Sequence, residues 1–140
     1  MRPRHPLHAS VLLAVALGGA VGAMLRYGLT LAEPDDSGFP WTTFSINLVG
    51  AFLLALLPAS ERVRRHPLLP PLLGTGVLGG FTTMSTWSEQ TRSLVSQGAV
   101  GTAAAYVVGT LAACLVAVAV ADRFSTEPSR AEFDEEEGDL

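Results

Sequence analysis

The chain has 140 residues, 49% of them hydrophobic and 16% charged, against about 25% charged in an average soluble protein. Its net charge of −4 belongs to a tail holding Glu127, Glu132, Asp134, Glu135, Glu136, Glu137 and Asp139; without these seven acids and Arg130, 8 arginines against 6 acids leave +2. There is no lysine and no basic, aromatic-interleaved stretch, which excludes a nucleic-acid surface, and the lone Cys114 excludes an internal disulfide.

In chain order, four apolar segments emerge, at about 9–32, 41–60, 68–97 and 99–121. A bilayer core takes about 20 residues of helix, so the pattern predicts an all-α membrane protein with four transmembrane helices in a domain spanning 1–122. Arg2 and Arg4, the apolar Val11 to Leu17 and the small residues Ala20 to Ala23 also look like a secretory signal, but the apolar run continues to Ala32. Loops follow at Glu33 to Gly38, Glu61 to Pro67 and Ser96 to Gly98. Trp41 sits at a span end, where its amphipathic ring favours the interface. The stretch 123–140 is acidic and poor in aliphatics, and is expected to be a disordered tail. Small residues recur every fourth position at Ala14, Gly18 and Gly22, and again at Gly101, Ala105, Gly109, Ala113, Ala117 and Ala121. Such stripes let helix backbones approach in lipid.

Polar groups inside spans are costly, so they are informative. Arg26 either snorkels toward the first loop or places a fixed positive charge near an anion path. Asn47, mid-span, either bonds a neighbouring helix or donates into a pore. Thr102, Tyr106, Thr110 and Cys114 share one face of the last helix, with Tyr106 deeper than an interfacial residue should lie. Thr110 can bond its own helix backbone, and Cys114 reads as a small apolar residue. The third segment carries Gly74, Gly76, Gly79 and Gly80 with Thr75, Thr82, Thr83, Ser85 and Thr86. Paired glycines followed by two threonines make a poor helix interior, so this helix is expected to break near its middle. Irregular backbone at that depth survives only under protein or beside water.

Three motifs then carry a resemblance. Gly19-Ala20-Val21-Gly22-Ala23-Met24-Leu25-Arg26-Tyr27, Thr43-Phe44-Ser45-Ile46-Asn47-Leu48-Val49-Gly50-Ala51-Phe52 and Gly79-Gly80-Phe81-Thr82-Thr83-Met84-Ser85-Thr86-Trp87 fall one per helix, in order. Over about Gly18 to Asp122 the chain resembles the CrcB/Fluc fluoride-channel family. The resemblance implies an antiparallel dimer with two narrow pores and passive export of fluoride. It implies a structural, untransported sodium ion (Na+) held by the backbone carbonyls of Gly79 and Thr82. Asn47, Tyr106 and Thr110 match its polar pore-lining positions, and Arg26 its first-helix arginine. Two pore-lining phenylalanines of the family are replaced here by Met84 and Trp87. A thioether is soft and polarizable, while an indole keeps an aromatic edge and adds an N–H donor.

Other function classes fit less well. A small four-helix proton-coupled exporter needs a carboxylate inside a span, and Glu89 and Asp122 lie near span ends. A non-conducting partner subunit remains an alternative because of Met84 and Trp87. An enzyme is not expected, since His5, His8 and His66 lie outside the spans. With four spans, Arg2, Arg4, Arg62, Arg64, Arg65, Arg123 and Arg130 fall on one side and only Arg92 on the other. Short-loop arginine marks the cytoplasmic face, so both termini are expected in the cytoplasm of a cell (inner) membrane. A chain fixed in one orientation cannot readily supply its own inverted partner, so the expected dimer is a heterodimer with a related chain of opposite bias.

Overall fold

The computed structural model describes residues 9–35 and 38–125, and these contain helices and turns but no strand. Helix α1 spans Ala9–Ala32 and α2 spans Trp41–Leu56, continued by a 3-10 turn at Leu57–Ala59. The short α3, Glu61–Arg64, leads to a π-helical stretch, Pro71–Leu78, which runs into α4, Gly79–Phe81. Then come α5, Met84–Ser96, and α6, Val100–Ala121, with a final 3-10 turn at Asp122–Phe124. The N-terminal arginines, within residues 1–8, and residues 126–140 of the expected tail lie outside the described residues; the first residues of that tail, 123–125, instead complete the final 3-10 turn.

Three helical runs among the described residues are long and apolar enough to cross a bilayer: Ala9–Ala32, Trp41–Ala59 and Val100–Phe124. Their outer faces carry bare apolar side chains, with Met24 74% and Leu115 70% exposed. Surfaces of that kind need a lipid solvent. The stretch 68–97, expected as the third of four spans, holds no single helix of crossing length; it consists of the π-helical stretch with α4, and then α5.

Each junction has a local cause. The first loop folds back so that the Asp35 carboxylate accepts the backbone N–H of Thr42 at 2.9 Å and of Thr43 at 3.1 Å. These are orphan donors of the first turn of α2, whose preceding residue, Pro40, offers no capping side chain. The α5–α6 turn is a Schellman motif: Ala99 N–H reaches the Leu94 carbonyl at 2.9 Å, Gly98 N–H the Val95 carbonyl at 3.0 Å. Gly98 supplies the positive φ of 78° that this turn requires.

Packing divides the molecule into two associations. Helix α1 lies chiefly on the π-helical stretch and α4. The approach is backbone to backbone: a methyl group added at Gly18 would strike the Leu72 carbonyl oxygen, and one at Gly22 the Val77 carbonyl oxygen. The small residues of α1 are therefore used within the subunit. Helix α2 packs mainly on α6, and α5 on α6. Their core is Leu94, Ala103 and Tyr106, walled by Phe39, Phe44 and Trp87. By contrast, a methyl group at Gly101 or Gly109 would meet nothing within 4 Å, so this part of the α6 stripe has no partner among the described residues.

Candidate functional site

The two associations meet at Thr82 and Thr83. Both are extended, with φ/ψ of −72°/160° and −149°/116°, so the helical ladder stops after α4 and restarts at α5. Asn47 stands opposite. Its Nδ2 donates to the Thr83 carbonyl at 3.0 Å and its Oδ1 accepts the Thr83 N–H at 2.8 Å. The side-chain amide thus pairs with a backbone unit as a neighbouring strand would. Thr83 is also the N-cap of α5, its hydroxyl accepting the Thr86 N–H at 3.1 Å.

These side-chain bonds redirect backbone donors. In a continuous helix the Thr83 N–H would bond the Gly79 carbonyl and the Thr86 N–H the Thr82 carbonyl. Here the first goes to Asn47 and the second to the Thr83 hydroxyl. Gly79 and Thr82 carbonyls thereby lose those helical partners at the one interruption between α4 and α5. Backbone carbonyl oxygens of this kind suit a hard cation. Among the described residues no group of three or more His, Cys, Asp or Glu is placed to hold a metal.

A cavity of about 530 Å³ opens on this point, lined by Asn47, Gly79, Thr82, Met84, Trp87 and Thr110 among others. Met84, in this lining, is 69% exposed. The Trp87 indole N–H is buried without a hydrogen-bond partner. Asn47 and Thr110 are buried, and the Thr110 hydroxyl donates to the Tyr106 carbonyl at 2.6 Å, one turn back on its own helix. Six of the eight residues singled out from sequence therefore converge here. Two do not line the cavity. Tyr106, fully buried, donates its hydroxyl to Gln90 Oε1 at 2.8 Å and packs 5.3 Å edge-on to Phe39. Arg26 donates through Nε to the Gly80 carbonyl at 3.3 Å, on the α1 side of α4.

Two polar residues at the same end were not singled out from sequence. Asp35 Oδ2 also accepts the Thr43 hydroxyl at 2.9 Å and Gln90 Nε2 at 3.1 Å. A line of hydrogen bonds thus runs from the first loop through Gln90 to Tyr106. Burial alone would raise the Asp35 pKa, but hydrogen bonds from the Thr42 and Thr43 N–H groups, the Thr43 hydroxyl and Gln90 outweigh it and hold the carboxyl below the usual aspartate value. The readable signal was an acid a few residues before two threonines at a helix start, together with Gln90 on the polar face of the third segment.

Apolar outer faces, spans of bilayer length and a buried amide bridging the extended junction between α4 and α5 define a multi-pass α-helical membrane protein. The family model "CrcB-like protein, Camphor Resistance (CrcB)" matches residues 13–121. The chain is 41% identical over 131 residues to the fluoride-specific ion channel FluC 2 of Nocardia farcinica (strain IFM 10152), covering 89% of this chain and 94% of that one. It is 45% identical over 113 residues to FluC 1 of Streptomyces coelicolor (strain ATCC BAA-471 / A3(2) / M145), covering 79% of this chain and 73% of the relative. A third relative, FluC 1 of Mycobacterium tuberculosis (strain CDC 1551 / Oshkosh), is 45% identical over 113 residues, covering 79% and 86%. The chain belongs to the CrcB family.

Proposed function

We propose that this chain is a subunit of a fluoride-selective channel that lets fluoride leave the cell passively across the cytoplasmic membrane. The observation that carries the reading is the Asn47–Thr83 pairing at the break, opening onto the cavity lined by Trp87 and Thr110. The names of the relatives supply the ion. Fluoride is small and firmly hydrated, so donors must replace the water it sheds. A side-chain amide has two N–H donors, and Asn47 commits one to Thr83, leaving the second for an anion. The unpartnered Trp87 N–H is a further donor in the same wall, standing where the family has a phenylalanine edge. Met84 gives a polarizable, apolar lining, and Thr110 presents its oxygen. Tyr106 continues the polar line toward the mouth at the first loop, and Arg26 holds a positive charge against the backbone before the break.

In this reading the π-helical stretch, α4 and α5 together make the third of four spans, broken at Thr82 and Thr83. The carbonyls of Gly79 and Thr82 would hold a sodium ion, whose charge would fix the break in place. A second subunit, antiparallel to the first, would close the open side of the cavity. The unpartnered Gly101 and Gly109 on α6 support such an interface. The arginine imbalance supports a single orientation with cytoplasmic termini, and hence a heterodimer with a related chain of opposite bias.

Fluoride efflux from liposomes tests the function. The chain, alone or paired with a related chain from the same source, should release fluoride and retain chloride. Release of neither ion from either preparation overturns the reading.

A further inference from the structure

Resting on the anion-path reading above, we propose that Asp35 is an uncompensated negative charge at one mouth of the path, and that it limits the rate of anion passage there. The carboxylate sits over the start of α2, bonded to Thr43, and Thr43 lies four residues before Asn47, about 6 Å along the helix. Its partners are the Thr42 and Thr43 N–H groups, the Thr43 hydroxyl and Gln90 Nε2, all of them neutral. Neutral donors keep a carboxylate ionised without cancelling its charge. The charged groups nearby on neighbouring elements do not cancel it either. Glu33, on the same loop, adds to it, and on α5 the Arg92 guanidinium is engaged with Glu89 at 3.0 Å.

The charge also fixes the sense of the hydrogen bonds behind it. An ionised carboxylate only accepts, so Gln90 turns its amide nitrogen to Asp35 and its Oε1 to Tyr106. The Tyr106 hydroxyl must then donate to Gln90, and its proton is withheld from an anion. Repulsion and the withdrawal of donors act in the same direction. The opposite end of the described subunit carries Arg62 and Arg123 exposed, while Arg65 there is paired with Glu61.

The test is fluoride efflux from neutral-lipid liposomes carrying wild type, Asp35→Asn or Asp35→Ser, at low and high ionic strength set with an impermeant salt. Asn and Ser each keep one side-chain oxygen that can accept from the start of α2, so both variants remove the charge while keeping part of this contact. Both should release fluoride faster than wild type at low ionic strength, by roughly two- to tenfold. The gap should close as about 1 M salt shortens the screening length to about 3 Å. A purely structural role predicts slower release and no salt dependence of the ratio. The proposal is overturned if wild type conducts and both variants match it or fall below it at low ionic strength. Each variant is run alone and paired with the related chain; if wild type releases no fluoride in either preparation, the channel reading fails first and this one falls with it.

Discussion

Asn47 replaces a turn of helix with a single side chain, and that makes it the residue whose loss should be felt most. Its two bonds to Thr83 satisfy a backbone N–H and a carbonyl that sit buried in the subunit. Asn47→Leu leaves both unsatisfied and should lower stability by about 1–3 kcal/mol, read as a drop in melting temperature of the detergent-solubilised protein. Asn47→Asp keeps the acceptor but places a carboxylate in the anion path. Fluoride efflux should fall to background while the assembled protein still elutes as wild type, and undiminished efflux would count against the assignment. Asp35 gives a pH signature. Its folded-state pKa is depressed, so its stabilisation is complete above the unfolded value and is lost as pH falls through the lower folded one. Wild-type melting temperature should decline across that acidic window, and Asp35→Asn should lose this part of the slope. At this scale the sequence was legible where a polar residue stood alone in an apolar run, as Asn47 did. It was less legible where partners come from distant segments: nothing local assigns the Tyr106 hydroxyl to Gln90, or Arg26 to the Gly80 carbonyl rather than to solvent.

Among the elements, the third segment departs most from a simple pattern. Its glycines and threonines announced an irregular helix, but not which way the backbone would be rerouted. The π-helical geometry of Pro71–Leu78 has no counterpart in the hydrophobic pattern, because a wider helix changes hydrogen-bond spacing without changing composition. The stripe of small residues on α1 announced a close approach, and its partner is the backbone of this same segment. Gly22→Ala would drive a methyl group into the Val77 carbonyl, where no flexible side chain can yield. That variant should give little folded protein, whereas Gly28→Ala, with nothing within 4 Å, should melt like wild type. Comparable yields of the two, measured by size-exclusion chromatography, would remove the case for this contact.

For the whole molecule, the four-segment pattern marked a membrane protein from composition alone, and family membership follows from the match over residues 13–121. The proposed assembly rests on charge: arginine placement is a property of loops, and says nothing of the surface that pairs. Reporter fusions at the C-terminus should report one orientation, cytoplasmic; comparable amounts on both sides, with the chain alone conducting fluoride, would favour a homodimer. The division of packing into two associations has a further consequence, for the order of events during synthesis. Helices α1 and α2 leave the ribosome first and as neighbours, yet they touch each other little. The main partner of α1 emerges only with the π-helical stretch, and that of α2 only with α6, the last long helix made. Until α6 arrives, the face of α2 that it covers has no cover from its own chain. A nascent chain stalled before Val100 should therefore remain sensitive to membrane proteases and insertion chaperones, and completion of the final helix should act as the signal that the subunit is finished.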